Sequence, residues 1–532
     1  MATAPKQTRI TLHADVLVIG GGPAGTWAAL SAAAKGAKVV LADKGYCGTS
    51  GATAPSGTGV WYVEPDEEKR EAAMKSREAL GGYLAERGWM QRVLDQTYTN
   101  MNDLALAGYP FPLDEEGLSY RRSLQGPEYM KLMRKRIKKA GVTILDHCPA
   151  QELLTDSHGI GGASGLQLNN GEPWTVTAGA VIIASGGCAF LSRALGCNVL
   201  TGDGYLLAAE AGASLSGMEF SNAYAISPTF STVTKTAFYS WASFYYEDGT
   251  LIEGAGSQQG RSVIARTLQT QPVYACLDRT TDDMRQWMRT AQPNFFLSFD
   301  RLGIDPFTQK FPVTLRLEGT VRGTGGIHLT SESCETAVPG LYAAGDAATR
   351  QLICGGFTGG GSHNAAWAMS SGFWSGEAAA EYAAALGSRS SSREPKGLRS
   401  GLTTALVGSG DISDVIKAIK QEVEPFDINL FRTEAKLKQS LGRLNRIWQE
   451  IRYRSAAGVN SAVKLREAQA MAATGRWMYA SALARTESRG MHKRVDYAGT
   501  DPAQHYRLLT GGLDTVWIKP DEASIVTGVS AG

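Results

Sequence analysis

Residues 14–25 read ADVLVIGGGPAG, a short apolar run followed by Gly20, Gly21, Gly22, Pro23, Ala24 and Gly25. Glycine at the end of a core strand forfeits packing and costs conformational entropy, so the backbone there must turn sharply or be approached closely. The continuous apolarity of 16–19 predicts a strand buried on both faces of a parallel sheet. The alanine-rich stretch 26–35 predicts a helix, and AKVVLADK predicts a second strand ending at Asp43 and Lys44. Gly20, Gly22 and Gly25 satisfy G-x-G-x-x-G. One glycine makes the tight turn, one lets backbone N–H groups reach a pyrophosphate at the helix N-terminus, and one lets the helix pack on the strand. The Asp43 carboxylate is spaced to accept hydrogen bonds from a ribose diol. The glycine pattern alone is weak evidence, but strand, glycines, helix, strand and terminal acid in this order specify a dinucleotide site in an α/β fold.

Two distant segments select FAD. GAVIIASGGCAF (179–190) is an apolar strand running into Ala184, Ser185 and Gly186, which brings backbone near the adenosine side. VPGLYAAGDAAT (338–349) is a strand ending at Gly345 and Asp346, where the carboxylate suits a hydrogen bond to a ribityl chain. NAD enzymes have no need of this late closing strand.

The chain's 532 residues exceed one compact core, so two or three domains are expected. A net charge of +2 argues against nucleic acid as a partner, and the basic run KLMRKRIKKAG (131–141) reads as a solvated helix face. The apolar run 16–19 is too short for a signal peptide or membrane span, which predicts a soluble, cytoplasmic protein. Seven scattered cysteines without CxxC or CxxxC spacing read as reduced thiols, with no metal or iron–sulfur motif in the chain itself.

Together with TGDGYLLAAEAGA (201–213) and ALARTESRGMHKRVDY (482–497), these segments resemble the flavoprotein family of fumarate reductase, succinate dehydrogenase and L-aspartate oxidase, with adenylylsulfate reductase more distant. The resemblance runs from about 14 to 515. It implies a Rossmann-like FAD-binding domain (1–220 and 326–385), an inserted α+β capping domain (221–325), a linker (386–424), a helical domain (425–500) and a C-terminal tail (501–532). It also adds Ser50, Gly51, Ala52, Ala150, Asp203, Ser362 and His363 to the expected FAD contacts. GSRSSSREPKGLRSG (387–401) independently reads as linker or surface loop, and Leu437, Leu441, Leu444 and Trp448 mark an amphipathic helix after it. Arg485, Glu487, Arg489 and His492 read as a charged network docking the helical domain.

The departures from the family are informative. Where members that bind flavin covalently carry Ser-His-Thr, this chain has Gly51 at the histidine position, so FAD is expected to be noncovalent. Phe-His-Pro-Thr becomes Ile226-Ser227-Pro228-Thr229, the proton-transferring arginine of Thr-Glu-Gly-x-Arg becomes Gly256, and the carboxylate-clamping arginine of a later segment becomes Phe357. Histidine and bidentate arginine are how such a site holds two carboxylates. Succinate, fumarate and aspartate are therefore not the expected substrates.

Three residues are candidates for the chemistry. Arg322 is a candidate anion or oxyanion holder, and His328 a candidate general acid or base. His363, at an expected helix N-terminus, would help stabilise reduced flavin. Either histidine has a purely structural alternative in a glycine-rich turn. KTAFYSWASFYYEDG (235–249) concentrates Phe238, Tyr239, Trp241, Phe244, Tyr245 and Tyr246, which read as cap core or as a box for an aromatic substrate. The expected function is hydride transfer between a small organic substrate and FAD, as a dehydrogenase or reductase. An O2-using oxidase or monooxygenase, and a flavin subunit working with an iron–sulfur partner, are the alternatives. Electron acceptor and homo-oligomerisation are left open.

Overall fold

A computed structural model describes residues 9–113, 117–234, 236–257, 260–357, 362–387, 392–398, 406–407, 411–456 and 458–525. Strand β1 (Ile10–Ile19), helix α1 (Pro23–Ala34) and strand β2 (Val39–Ala42) form the expected opening unit. β1 lies parallel between β2, with Ile19 opposite Ala42, and the strand Pro173–Ile183, with Ile19 opposite Ile183. Leu341–Ala343 pairs in parallel with the end of Pro173–Ile183, and Ala150–Asp156 and Gly159–Leu166 extend the sheet as an antiparallel edge. As the sequence predicts, β1 is buried on both faces: Leu17 and Ile19 join one core cluster, Val16 and Val18 another.

α1 is alanine-rich because it runs unusually close to the long helix Ser362–Leu386. A Cβ on Gly372 would fall 2.3 Å from the Ala24 carbonyl oxygen, and one on Gly376 would fall 2.2 Å from that of Ala28. Small side chains on both helices permit that approach and press the long helix against the dinucleotide turn.

The region expected as the cap carries its own antiparallel sheet, in the order Ala223–Pro228, Phe311–Gly319, Val273–Cys276, Ser243–Tyr245. Phe295, Phe296, Phe299 and Phe311 are fully buried in this cap. A third sheet brings Leu215–Ser216 and Gly326–Ile327 together with Leu508–Gly511 and Trp517–Pro520. The segment expected as a tail therefore supplies two strands to a sheet begun some three hundred residues earlier.

The later helices Ile412–Val423, Glu434–Ile451 and Val459–Ala484 pack together. Leu437, Leu444 and Trp448 face inward, and the Thr433 side chain caps their helix by accepting from Lys436 N. The charged network lies at their junction with the sheets. Arg485 bridges Glu219 at 2.9 Å and Glu487 at 2.8 Å, Arg489 binds Glu487 at 2.6 Å, and the His492 Nδ1 meets Arg432 at 2.7 Å, all buried. The expected linker is anchored in part. Arg393 is buried, binds Asp156 at 2.6 Å and donates to the Ile160 carbonyl at 3.0 Å, while Lys396–Gly397 adds an edge strand. Residues 388–391, 399–405 and 408–410 of that linker, and Thr358 with the glycine run 359–361, lie outside the described residues. No described helix is long and apolar enough to cross a membrane.

Candidate functional site

A cleft of about 500 Å³ opens along the C-terminal ends of β1 and its neighbours and is closed over by the cap. Its dinucleotide side is the glycine turn. Gly20 (φ +112°) passes so close to the next strand that a Cβ would lie 2.3 Å from the Ala184 carbonyl oxygen. A Cβ on Gly25 would lie 1.8 Å from the Gly20 carbonyl oxygen, so Gly25 packs α1 on the turn and does not line the cleft. Gly22 does line it, and a Cβ there would meet nothing within 4 Å. That bare backbone at a helix N-terminus is a cradle of the kind a pyrophosphate fills. Gly51 (φ +89°) is equally open.

Asp43 braces the turn as well as facing the cleft. It accepts from Gly21 N at 2.5 Å, Gly45 N at 2.7 Å and Ser50 Oγ at 2.8 Å. A carboxylate has about four acceptor positions, so capacity for a ribose hydroxyl remains. Lys44 donates to Asp203 at 2.8 Å and reaches Glu467 at 2.6 Å. Burial alone would lower the Lys44 ammonium, but the two carboxylates outweigh it and hold it above its ordinary value. Glu467 comes from the late helix Val459–Ala484, which thus braces Lys44 from behind the cleft.

On the other side, Asp346 pairs with the buried Arg350, whose guanidinium also donates to the carbonyls of Thr320 at 2.8 Å and Val321 at 3.1 Å. Arg350 thus ties the Gly345–Asp346 segment to the base of the cap. The sequence reading did not single it out, although an Asp-x-x-x-Arg spacing was available. Ser185 Oγ and Asn364 Oδ1, on two cleft-lining residues, are buried without a hydrogen-bond partner among the described residues. Orphaned polar atoms beside an open glycine cradle suit a bound FAD.

Of the expected cofactor contacts, Gly20, Gly22, Pro23, Ala24, Asp43, Lys44, Ser50, Gly51, Ala52, Ala150, Ala184, Ser185, Gly186, Asp203, Gly345, Asp346 and Ser362 all line the cleft. His363 does not. Its ring is buried 4.3 Å from that of Trp61, and its Nδ1 lies 3.1 Å from Ser362 Oγ. Asn364, Ala365 and Ala368 form the cleft-facing stripe of that helix, whereas His363 belongs with buried Ala366, Trp367 and Ser370 on another face. His328 is also outside the cleft. It follows the short strand Gly326–Ile327 and sits near Asp521, Arg507 and Lys519; burial and those two cations hold its pKa below the ordinary value. Arg322 does line the cleft, and its guanidinium lies 3.2 Å from the buried Glu318.

The cap contributes Phe238 and Trp287 to the lining, with ring centroids 6.0 Å apart, and Phe238 also packs on Phe295 at 5.4 Å. Both readings of the aromatic segment therefore meet in Phe238, while Tyr239 and Phe244 serve the core alone. Tyr120 and Arg122 enter just before the strand Ser123–Gln125, which pairs antiparallel with Gly57–Gly59 and whose Gln125 Nε2 donates to the cap's Ala291 carbonyl at 2.9 Å. The sequence reading missed these two. They follow a segment without apolar periodicity, and only this long-range strand pairing brings them to the cap.

The family described as FAD binding domain matches residues 15–230, and that described as fumarate reductase flavoprotein C-term matches 421–514. An L-aspartate oxidase from Mycobacterium tuberculosis is 28% identical over 94% of this chain and 96% of its own length. A fumarate reductase (CoM/CoB) chain from Methanothermobacter marburgensis is 24% identical over 92% of this chain and 95% of its own. The E. coli quinol fumarate reductase has the same fold, with a TM-score of 0.83 at 20% identity over 98% of this chain and 99% of that one. Adenylylsulfate reductase of Archaeoglobus fulgidus gives 0.75 at 18% identity over 97% and 98%. With its glycine cradle, inserted cap and late helical region matching in this order, the chain belongs to the FAD-dependent oxidoreductase family of fumarate reductase, succinate dehydrogenase and L-aspartate oxidase.

Proposed function

We propose that this enzyme transfers hydride between a carbon of a small organic substrate and noncovalently held FAD, as a dehydrogenase or reductase, and that its substrate is not succinate, fumarate or aspartate. The carrying observation is the composition of the shared cleft: the positions that would grip a dicarboxylate do not reach it. Ser227 is buried, with its hydroxyl 2.8 Å from the carbonyl oxygens of both Pro228 and Ser231, either of which can accept its one proton. Neither Gly256 nor Phe357 lines the cleft, whereas Arg322 does. No histidine or cysteine is among the described lining residues, which supports a noncovalent flavin.

Bound FAD supplies the two-electron acceptor or donor. Gly20, Gly22 and the N-terminus of α1 hold its diphosphate, Asp43 its adenosine ribose, and Asp346 its ribityl chain, with Arg350 fixing Asp346. Arg322 holds negative charge on the substrate, oriented by Glu318.

The test begins with acid precipitation of the purified protein. FAD is expected in the supernatant; flavin remaining with the pellet overturns noncovalent binding, and no flavin at all overturns the cofactor assignment. Anaerobically photoreduced enzyme mixed with air-saturated buffer is expected to regain its flavin absorbance slowly. Rapid recovery instead assigns an oxygen-using enzyme.

A further inference from the structure

Resting on that reading, the charge and surface of the cleft go further than its cofactor. Its three described lining carboxylates are all committed within the protein: Asp43 to backbone N–H groups, Asp203 to Lys44 and Asp346 to Arg350. The side formed by the cap and by residues 120–125 presents two guanidiniums, Arg122 and Arg322, and no acid among its described lining residues. Arg122 is exposed and forms no ion pair among the described residues. Arg322 shares Glu318, which is fully buried and fixed by the Thr234 hydroxyl at 2.6 Å.

Arg261, on the first turn of the helix Gly260–Leu268, feels the same two side chains. Desolvation and then the Arg322 charge push its pKa down to about 10, against the pull of Glu318, so it remains a cation at neutral pH. Among the described residues, two guanidiniums thus answer to one carboxylate.

Beside these charges lie large uncovered aromatic surfaces. Trp287 is 52% exposed and Tyr120 is 43% exposed, and both line the cleft with Phe238. Apolar aromatic area left open in a concave site is where a ligand ring gains most from burial, and planar guanidinium is suited to a carboxylate.

We infer that the substrate is an aromatic carboxylate, its ring taken by Phe238, Trp287 and Tyr120 and its carboxylate by Arg322 and Arg122. This differs from a dicarboxylate site in pairing guanidiniums with open aromatic surface.

The experiment is calorimetric titration of the FAD-loaded enzyme with benzoate, phenylacetate and 3-phenylpropanoate, with their three amides, and with succinate. At least one aromatic acid is expected to bind once per chain, with its uncharged amide weaker by about tenfold or more. Arg322→Gln and Arg122→Gln are each expected to weaken that acid by about tenfold while the flavin-to-protein ratio is unchanged. Arg322→Lys, which keeps the charge without the planar fork, is expected to fall between the wild type and Arg322→Gln, and it serves if the glutamine variant fails to fold. Binding of none of the acids, equal binding of acids and amides, indifference to both arginines, or succinate binding more tightly than every aromatic acid overturns the inference. Those outcomes with flavin present leave the FAD reading standing; its own failure is a chain that neither carries nor takes up flavin.

Discussion

Gly22 and Gly25 are three residues apart and meet opposite demands. An alanine at Gly25 drives its methyl into the Gly20 carbonyl, so Gly25→Ala is expected to destabilise even the flavin-free protein by roughly 2 kcal/mol. Gly22 has open space and an extended backbone at φ −77° that alanine accepts. Gly22→Ala is therefore expected to change flavin-free stability by less than about 0.5 kcal/mol and still to lower flavin content sharply, since its methyl occupies the cradle. Thermal melts of both apoproteins beside their flavin-to-protein ratios check this; equal melting losses in the two would sink the distinction. The glycine spacing was legible in the sequence because backbone geometry alone dictates it. That His363 lies off the cleft was not legible, because the direction of a helical side chain depends on which stripe of the helix meets the core. That His328 lies off it was not legible either, because the strands beside it arrive from residues 508–520, beyond any local pattern.

Among the elements, the segment 392–398 is the least transparent. Its serine- and arginine-rich surroundings average out to a linker, and an average does not register one buried side chain. Arg393 satisfies Asp156 and backbone carbonyls at the sheet edge, including those of Ile160 and Gly179. Removing it strands those acceptors. Arg393→Ala is expected to cost roughly 3 kcal/mol, read as a lower urea midpoint with an unchanged slope. A midpoint equal to the wild type would make the segment a linker after all. Elements set by strong periodicity, such as β1 and the helix carrying Leu437, Leu444 and Trp448, were predictable for the converse reason: many residues repeat the same instruction.

Across the whole molecule, the junction of the helical region with the sheets is held by buried charge and titrates accordingly. His492 is kept neutral by burial and by the adjacent Arg432, Arg485 and Arg494 cations, with its pKa well below the ordinary histidine value. The unfolded chain takes up that proton near its ordinary pKa of about 6.5, so the unfolded state binds more protons below this pH. Stability is fully present above that pH and falls by up to about 1.4 kcal/mol per unit as pH drops below it. Between pH 6.5 and 5.5, urea unfolding is expected to show wild type losing about 1 kcal/mol more than His492→Asn. Parallel losses in the two proteins would rule out this histidine as the source.

The third sheet carries a consequence for biosynthesis. Leu215–Ser216 emerges from the ribosome long before Leu508–Gly511, its partner strand, and Lys44 appears long before Glu467. The dinucleotide end thus waits, half built, through most of translation. Contacts this distant in sequence form slowly and leave incomplete surfaces exposed meanwhile. Loading with the flavin belongs after synthesis, and a chain halted before its last strands would keep the nucleotide fingerprint yet lack the finished holder.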